Sequence, residues 1–261
     1  MSQHFKEQAA VISSKRIGTD VMELVIKTKD VAANSAAGQF VNLYCKDGAR
    51  LLPRPISLCG VDKETGTLRL VYRIVGKGTE EFATLKEGDT IEIMGPLGNG
   101  FPLDKADKAA ILMGGGIGIP PMIELAKELK EAGCNKITAV LGYRDELFLN
   151  EDMAQYADVV IATEDGSVGT KGNVLDAIRE QGVTGEVIYA CGPTPMLRAI
   201  KNYGMENNLI TYLSLEERMA CGIGACLACV CKSKEKDEHT NVNNKRVCKE
   251  GPVFLAEEVE I

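Results

Sequence analysis

Four cysteines near the end of the chain, Cys221, Cys226, Cys229 and Cys248, follow the order C-x4-C-x2-C and then a distant fourth. Thiolates in that order suit a [2Fe-2S] cluster, because one short loop must aim several sulfurs inward. The residues between the first two, Gly222, Ile223, Gly224 and Ala225, are small enough to let the loop wrap. Glycine also allows positive φ, which lets amide hydrogens point at sulfur. Four cysteines also suit a tetrahedral zinc ion. Zinc sites usually pair two C-x2-C knuckles, whereas this run is one tight group of three with a remote fourth, so the spacing favours iron and sulfide. Cys231 adds a fifth thiol beside the run and is read as a non-ligand.

A second chemistry is signalled at 113–121, which reads MGGGIGIPP after an apolar run. Gly115, Gly116 and Gly118 let the backbone approach a pyrophosphate, and the free amides of the helix that opens at Pro121 favour the anion. Pro121 stands where the third glycine of a G-x-G-x-x-G fingerprint would be, so a tight structural turn is the alternative. Cys191-Gly192-Pro193 forms another small-residue turn after an apolar run and could border the same crevice. Earlier in the chain, Arg54-Pro55-Ile56-Ser57 places a cation and a hydroxyl at the start of a strand. Gly76-Lys77-Gly78-Thr79 leads into a short helix. An arginine fork and helix-start amides can hold one phosphate between them. Their plainer readings are a surface ion pair and a threonine-capped loop.

The elements that must position these groups change character near residue 104. Before it, β-rich runs at 9–13, 21–28, 39–45, 56–61, 68–75 and 90–94 alternate with turn signals, and one short helix is expected at 80–85. That pattern predicts a six-stranded antiparallel barrel. After it, strands at 109–113, 137–141, 159–163 and 187–190 alternate with helices at 121–132 and 174–181, which predicts a parallel sheet covered by helices on both faces. The fold class is therefore β plus α/β, with three expected units: a barrel over 1–103, a nucleotide domain over 104–213 and a small cluster domain over 214–261. The polar stretch from Lys232 through Asn244 reads as a solvated loop or hairpin without a binding role.

Composition narrows the partners. Of 261 residues 45% are hydrophobic, as in a globular protein, and no apolar run approaches the ~18 residues that span a bilayer. A net charge of −7 argues against nucleic acid, which favours a basic face. The opening MSQHFKEQAAVISSK lacks an apolar secretory segment, so reduced thiols and a cytoplasmic setting are expected rather than a disulfide framework.

Together these residues resemble the ferredoxin-NADP reductase superfamily over the full length of the chain. The stretches 214–230 and 247–254 narrow the resemblance to the family of electron-transfer subunits of class B dihydroorotate dehydrogenases. The resemblance implies that Arg54, Pro55, Ile56 and Ser57 bind FAD, with the arginine at the phosphates and the hydroxyl near the isoalloxazine. It implies that Val71, Tyr72 and Arg73 line the FAD and that Gly78 and Thr79 hold its pyrophosphate. Many superfamily members carry an aromatic where this chain has Ile56, so flavin stacking there is weaker or comes from elsewhere. The nicotinamide nucleotide is expected over Gly115, Gly116, Gly118 and Pro121 and over Cys191, Gly192 and Pro193, with Cys221, Cys226, Cys229 and Cys248 holding the cluster.

The function so implied is a relay. An FMN-containing catalytic subunit oxidises dihydroorotate, and electrons pass by the cluster and FAD to NAD, in an assembly of two copies of each subunit that serves pyrimidine synthesis. A relay asks no general base of this chain, whose two histidines are His4 and His239. Around Arg144 and Asp145 the residues alone admit NAD or NADP, and the resemblance selects NAD. Two other readings are a flavin and iron-sulfur subunit of another complex, such as ferredoxin:NADP oxidoreductase or sulfhydrogenase, and a non-catalytic regulatory subunit carrying zinc.

Overall fold

The computed structural model describes residues 4–236 and 241–261. Six strands, β1 (Phe5–Arg16), β2 (Val21–Lys27), β3 (Phe40–Leu43), β4 (Arg54–Asp62), β5 (Thr67–Arg73) and β6 (Thr90–Leu97), close into a barrel in the order β1-β2-β5-β4-β3-β6. Every pairing is antiparallel, as the six-strand expectation required. Period-two patterning explains the closure: Met22, Leu24 and Ile26 on β2 and Leu68, Leu70 and Tyr72 on β5 all turn into one buried core. The helix between β5 and β6, α1 (Lys77–Phe82), starts three residues before the expected 80–85. Thr79 sets that start, since its Oγ1 accepts from the amides of Val75 (3.0 Å) and Gly76 (3.2 Å) and donates to the Gly76 carbonyl (2.9 Å).

The second half is built from β7 (Ala110–Gly115), α2 (Pro120–Glu131), β8 (Ile137–Tyr143), α3 (Asn150–Ala154), β9 (Asp158–Thr163), β10 (Thr170–Lys171), α4 (Val174–Gln181), β11 (Val187–Cys191), α5 (Thr194–Glu206) and β12 (Ile210–Ser214). These strands are parallel in the order β10-β9-β8-β7-β11-β12. Local chemistry bounds α4 sharply: Asn173 Oδ1 accepts from the Leu175 amide at 2.9 Å, Asp176 Oδ2 accepts from the Asn173 amide at 2.9 Å, and Gly182 ends the helix at φ 63°. The chain leaves β7 toward β8 on one side and reaches β11 on the other, so the crevice between the ends of β7 and β11 is the switch point where such sheets bind ligands.

The last segment does two things. β13 (Val230–Ser233), β14 (Asn244–Arg246) and β16 (Val259–Glu260) form a small sheet, while β15 (Val253–Leu255) pairs antiparallel with β12 and extends the parallel sheet. The cysteine segment is thus hydrogen-bonded into the neighbouring layer. His239 lies outside the described residues. No described helix is long and apolar enough to cross a membrane.

A polar seam joins barrel to sheet. Glu124 on α2, 3% exposed, accepts from the Val61 amide at 2.9 Å, and Lys127 donates to the Val61 carbonyl at 2.7 Å. Glu128 accepts from the Ala37 amide at 2.9 Å, while Arg69 of the barrel pairs with Glu23 and reaches Asp152 on α3. Burial raises the carboxyl pKa of Glu124 and of Glu128, opposed by these amide donors. Charged groups that would be costly to bury alone are satisfied by backbone across the seam, which fixes the crevice relative to the barrel.

Candidate functional site

The cysteine loop carries its sulfurs as two pairs. Cys221 and Cys226 lie Sγ to Sγ at 3.3 Å, far beyond the ~2.05 Å of a disulfide, and Cys229 and Cys248 lie near enough to shift each other's thiol. All nine cysteines are free thiols. Amides point at sulfur as the glycine content suggested: Gly224 N–H donates to Cys248 Sγ at 3.2 Å and Cys226 N–H to Cys221 Sγ at 3.4 Å. Burial raises the Cys221 thiol, but the amides of Cys226, Ile223 and Ala225 outweigh it and bring it down to about 7. The neighbouring Cys248 thiol lowers Cys229 and is itself raised in turn.

Among the described residues no three His, Cys, Asp or Glu groups converge on one ion. The four sulfurs are the donor set that an iron-sulfur cluster uses. Cys231 lies on β13 opposite Lys245, in the core, with its thiol pushed up to about 11 by burial.

The loop is seated on the barrel. Asn42 of β3 is fully buried beneath it: Nδ2 donates to the Cys221 carbonyl at 3.4 Å and presses on Gly222, while Oδ1 has no partner among the described residues. In the β3–β4 register Asn42 faces Pro55, so the cysteine loop stands one strand away from the Arg54-Pro55-Ile56-Ser57 run. Sequence reasoning missed Asn42, because nothing local marks a contact 179 residues away.

The expected flavin residues gather at one end of the barrel. Arg54, Pro55, Ile56 and Ser57 begin β4, and Val71, Tyr72 and Arg73 end the adjacent antiparallel β5. The Arg54 guanidinium lies directly over Gly78, where a Cβ would stand 2.5 Å from its Cζ, so only glycine leaves the fork against the opening turn of α1. The first amides of that turn have no partner within the helix. Two further polar atoms have no hydrogen-bond partner among the described residues: Tyr72 Oη, whose ring faces the barrel core edge-on to Phe82, and Arg73 Nε. Asp20 Oδ2 is 3.5 Å from Arg73 Nε, an ion pair without hydrogen-bond geometry. A cation over free amides and donors without partners fit a phosphate-bearing cofactor.

The residues expected at the nucleotide meet at the switch point. A Cβ on Gly118 would strike the Cys191 carbonyl oxygen and come within 2.6 Å of the Gly192 nitrogen, so the two turns touch backbone to backbone. Gly115 packs on Met196 and Pro193, and Pro121 lies in the first turn of α2. Met196 lies against both Gly115 and Gly192. Burial pushes the Cys191 thiol up to about 12. Beside these turns a cleft of ≈ 510 Å³ runs from Asp20 and Arg73 of the barrel to Gly116, Arg144 and Phe148, within the usual range for small-molecule sites. At its rim Arg144 pairs with Asp145 at 3.4 Å.

Three known domain families match successive parts of the chain. Residues 8–101 match the oxidoreductase FAD-binding domain, 112–202 the oxidoreductase NAD-binding domain, and 216–260 the iron-sulfur cluster binding domain of dihydroorotate dehydrogenase B. The chain is similar to the dihydroorotate dehydrogenase B (NAD(+)) electron transfer subunit of Listeria monocytogenes, 48% identical over 96% of this chain and 97% of that protein. Its similarity to the Bacillus cereus (strain B4264) subunit of the same name is 42%, over 97% and 98% of the two chains. Among solved structures it resembles an NADH-dependent reduced ferredoxin-NADP oxidoreductase with a TM-score of 0.86, at 31% identity over 97% of this chain and 89% of that one. A Neisseria gonorrhoeae ferredoxin NADP+ reductase with bound FAD and NADP shares the fold at TM-score 0.64 and 18% identity, over 77% and 91%.

Proposed function

The chain belongs to the family of dihydroorotate dehydrogenase B (NAD(+)) electron transfer subunits, and from that premise we propose how its residues carry electrons between a separate catalytic subunit and NAD. When bound, a [2Fe-2S] cluster exchanges single electrons, FAD exchanges single electrons or a hydride, and NAD takes a hydride, so the three together convert one currency into the other. One observation carries the reading: the loop bearing Cys221, Cys226, Cys229 and Cys248 sits on Asn42, whose strand partner is Pro55 of the flavin run.

In this reading Arg54, Gly78 and Thr79 hold the FAD pyrophosphate, and Pro55, Ile56, Ser57, Val71, Tyr72 and Arg73 line the rest. Thr79 acts through the loop that its hydroxyl ties, and Gly78 by leaving room for the guanidinium. Gly115, Gly116, Gly118, Pro121, Cys191, Gly192 and Pro193 form the NAD crevice. The units are 1–103, 104–213 and 214–261. The partner is an FMN-bearing dihydroorotate dehydrogenase in an assembly of two copies of each chain, in the cytoplasm, where nine unpaired cysteines are at home.

The decisive assay pairs the chain with that catalytic subunit and follows dihydroorotate-dependent reduction of NAD and of NADP. The reading expects NAD to be reduced only when both subunits are present. Equal activity of the catalytic subunit alone, or a clear preference for NADP, would refute it.

Two substitutions test the flavin residues. Arg54→Ala removes charge-assisted contacts of about 1.5–3 kcal/mol, so FAD retention through desalting should weaken roughly 10–100-fold. Retention equal to the parent would remove Arg54 from the site. Tyr72→Phe deletes a buried hydroxyl with no partner among the described residues. The FAD-free protein should melt no lower, while FAD binding weakens by about 1 kcal/mol, the worth of one hydrogen bond. Unchanged FAD affinity would mean that the hydroxyl does not meet the cofactor.

A further inference from the structure

The turn that presents Cys248 is closed by a pair of side chains to which the comparisons assign no role. Arg246, 9% exposed, donates from Nη2 to Glu250 Oε1 at 2.6 Å and from Nε to Glu250 Oε2 at 3.1 Å. Glu250 Oε2 also accepts from the Arg246 amide at 2.7 Å. This is a planar, two-point pairing, which fixes direction as well as distance. The remaining arm of the fork, Nη1, donates to the carbonyl of Gly224 at 2.9 Å.

Gly224 is the residue whose N–H donates to Cys248 Sγ at 3.2 Å. Its two backbone groups are therefore both held by one turn, the oxygen by Arg246 and the hydrogen by the sulfur of Cys248. Its φ of +78° is left-handed, and a Cβ would fall 2.6 Å from Lys249 Cδ, so the position leaves little choice but glycine. From the other side, Asn99 Nδ2 holds the turn through the carbonyls of Lys249 (3.1 Å) and Glu250 (2.9 Å).

We infer that Arg246 and Glu250 are a positioning pair that sets the reduction potential of the cluster, by holding the Gly224 peptide so that its N–H stays on Cys248 Sγ. The inference rests on the reading that Cys248 is a cluster ligand. Reduction adds negative charge that is shared by the sulfurs, so an N–H donor on a ligand sulfur favours the reduced form and raises the potential. Loosening the Gly224 carbonyl frees the peptide to rotate, weakens that donor and lowers the potential.

The test uses the full-length chain loaded with FAD and cluster, and reads iron and sulfide content and the cluster's midpoint potential by dye-mediated titration followed by electron paramagnetic resonance. Arg246→Lys keeps the charge but cannot make the two-point pairing. A purely coulombic or structural role predicts an unmoved potential, whereas positioning predicts a shift to more negative values with altered g-values at full iron content. Glu250→Gln separates the two causes by sign. Removing a nearby negative charge would raise the potential, while loss of the clamp lowers it.

A lower potential in both variants is the expected result. An unmoved potential in Arg246→Lys, a raised one in Glu250→Gln, or failure of both variants to retain iron would overturn the inference. Absence of iron from the parent chain would instead defeat the cluster reading on which it stands.

Discussion

Cys226→Ser should strip the chain of iron and separate its two activities. A serine hydroxyl does not ionise near neutral pH and is a poor substitute for a thiolate, and the change leaves Cys221, 3.3 Å away in the parent, without its companion sulfur. The residues proposed for FAD, on β4, β5 and α1, and those proposed for NAD, between β7 and β11, lie on other elements of the chain. NADH-driven reduction of an artificial dye should therefore persist close to the parent rate. Dihydroorotate-driven reduction of NAD by the two-subunit complex should fall by more than the ~10–100-fold that loss of an outer hydrogen-bond partner of a metal ligand costs.

Cys231→Ser is the matched control. That thiol sits in the strand β13, buried at 8% exposure, and its replacement should leave two irons in place. Iron analysis and the two assays decide the matter: full iron in Cys226→Ser, or lost iron in Cys231→Ser, would reassign the ligands.

Gly118→Ala should damage the nucleotide crevice more than its single methyl suggests. The added carbon would meet the Cys191 carbonyl and the Gly192 nitrogen, both backbone atoms at the end of a central strand that cannot swing aside as a side chain can. Overpacking of this kind costs about 1–3 kcal/mol. Relief by separating the two turns would also spread the amides from the pyrophosphate. The expected result is a lower melting temperature together with a KM for NADH raised roughly 10-fold or more in the dye assay, where about 1.4 kcal/mol corresponds to each factor of ten. An unchanged melting temperature and KM would show that the turns are not in contact.

The sequence was most legible where chemistry is local. The spacing of Cys221, Cys226 and Cys229 is a property of nine consecutive residues, and the period-two run Leu68, Leu70 and Tyr72 declares its strand without outside help. Helix α4 was equally plain, because Asn173 and Gly182 mark both its ends. What escaped was set by long-range packing. α5 begins within Thr194-Pro195, which reads as a turn until the strand before it is seen to deliver the chain to a helix start. β15 becomes a strand by pairing with β12, some forty residues earlier in the chain, and three apolar residues alone do not announce it.

The same limit applied to the site. Asn42 under the cysteine loop and Arg246 on Gly224 are contacts across 179 and 22 residues, and neither side chain stands in a recognisable run. The seam formed by Glu124, Lys127, Glu128 and Arg69 also looks like an ordinary charged helix face and strand in sequence. Its carboxylates are instead spent on barrel amides.

The most direct measurement is an iron, acid-labile sulfide and flavin analysis of the anaerobically purified chain, with a visible spectrum taken before and after NADH is added. Two irons, two sulfides and one FAD per chain, with visible bands that bleach on addition of NADH, are what the account predicts. Zinc in place of iron, or a chain without flavin, would contradict it.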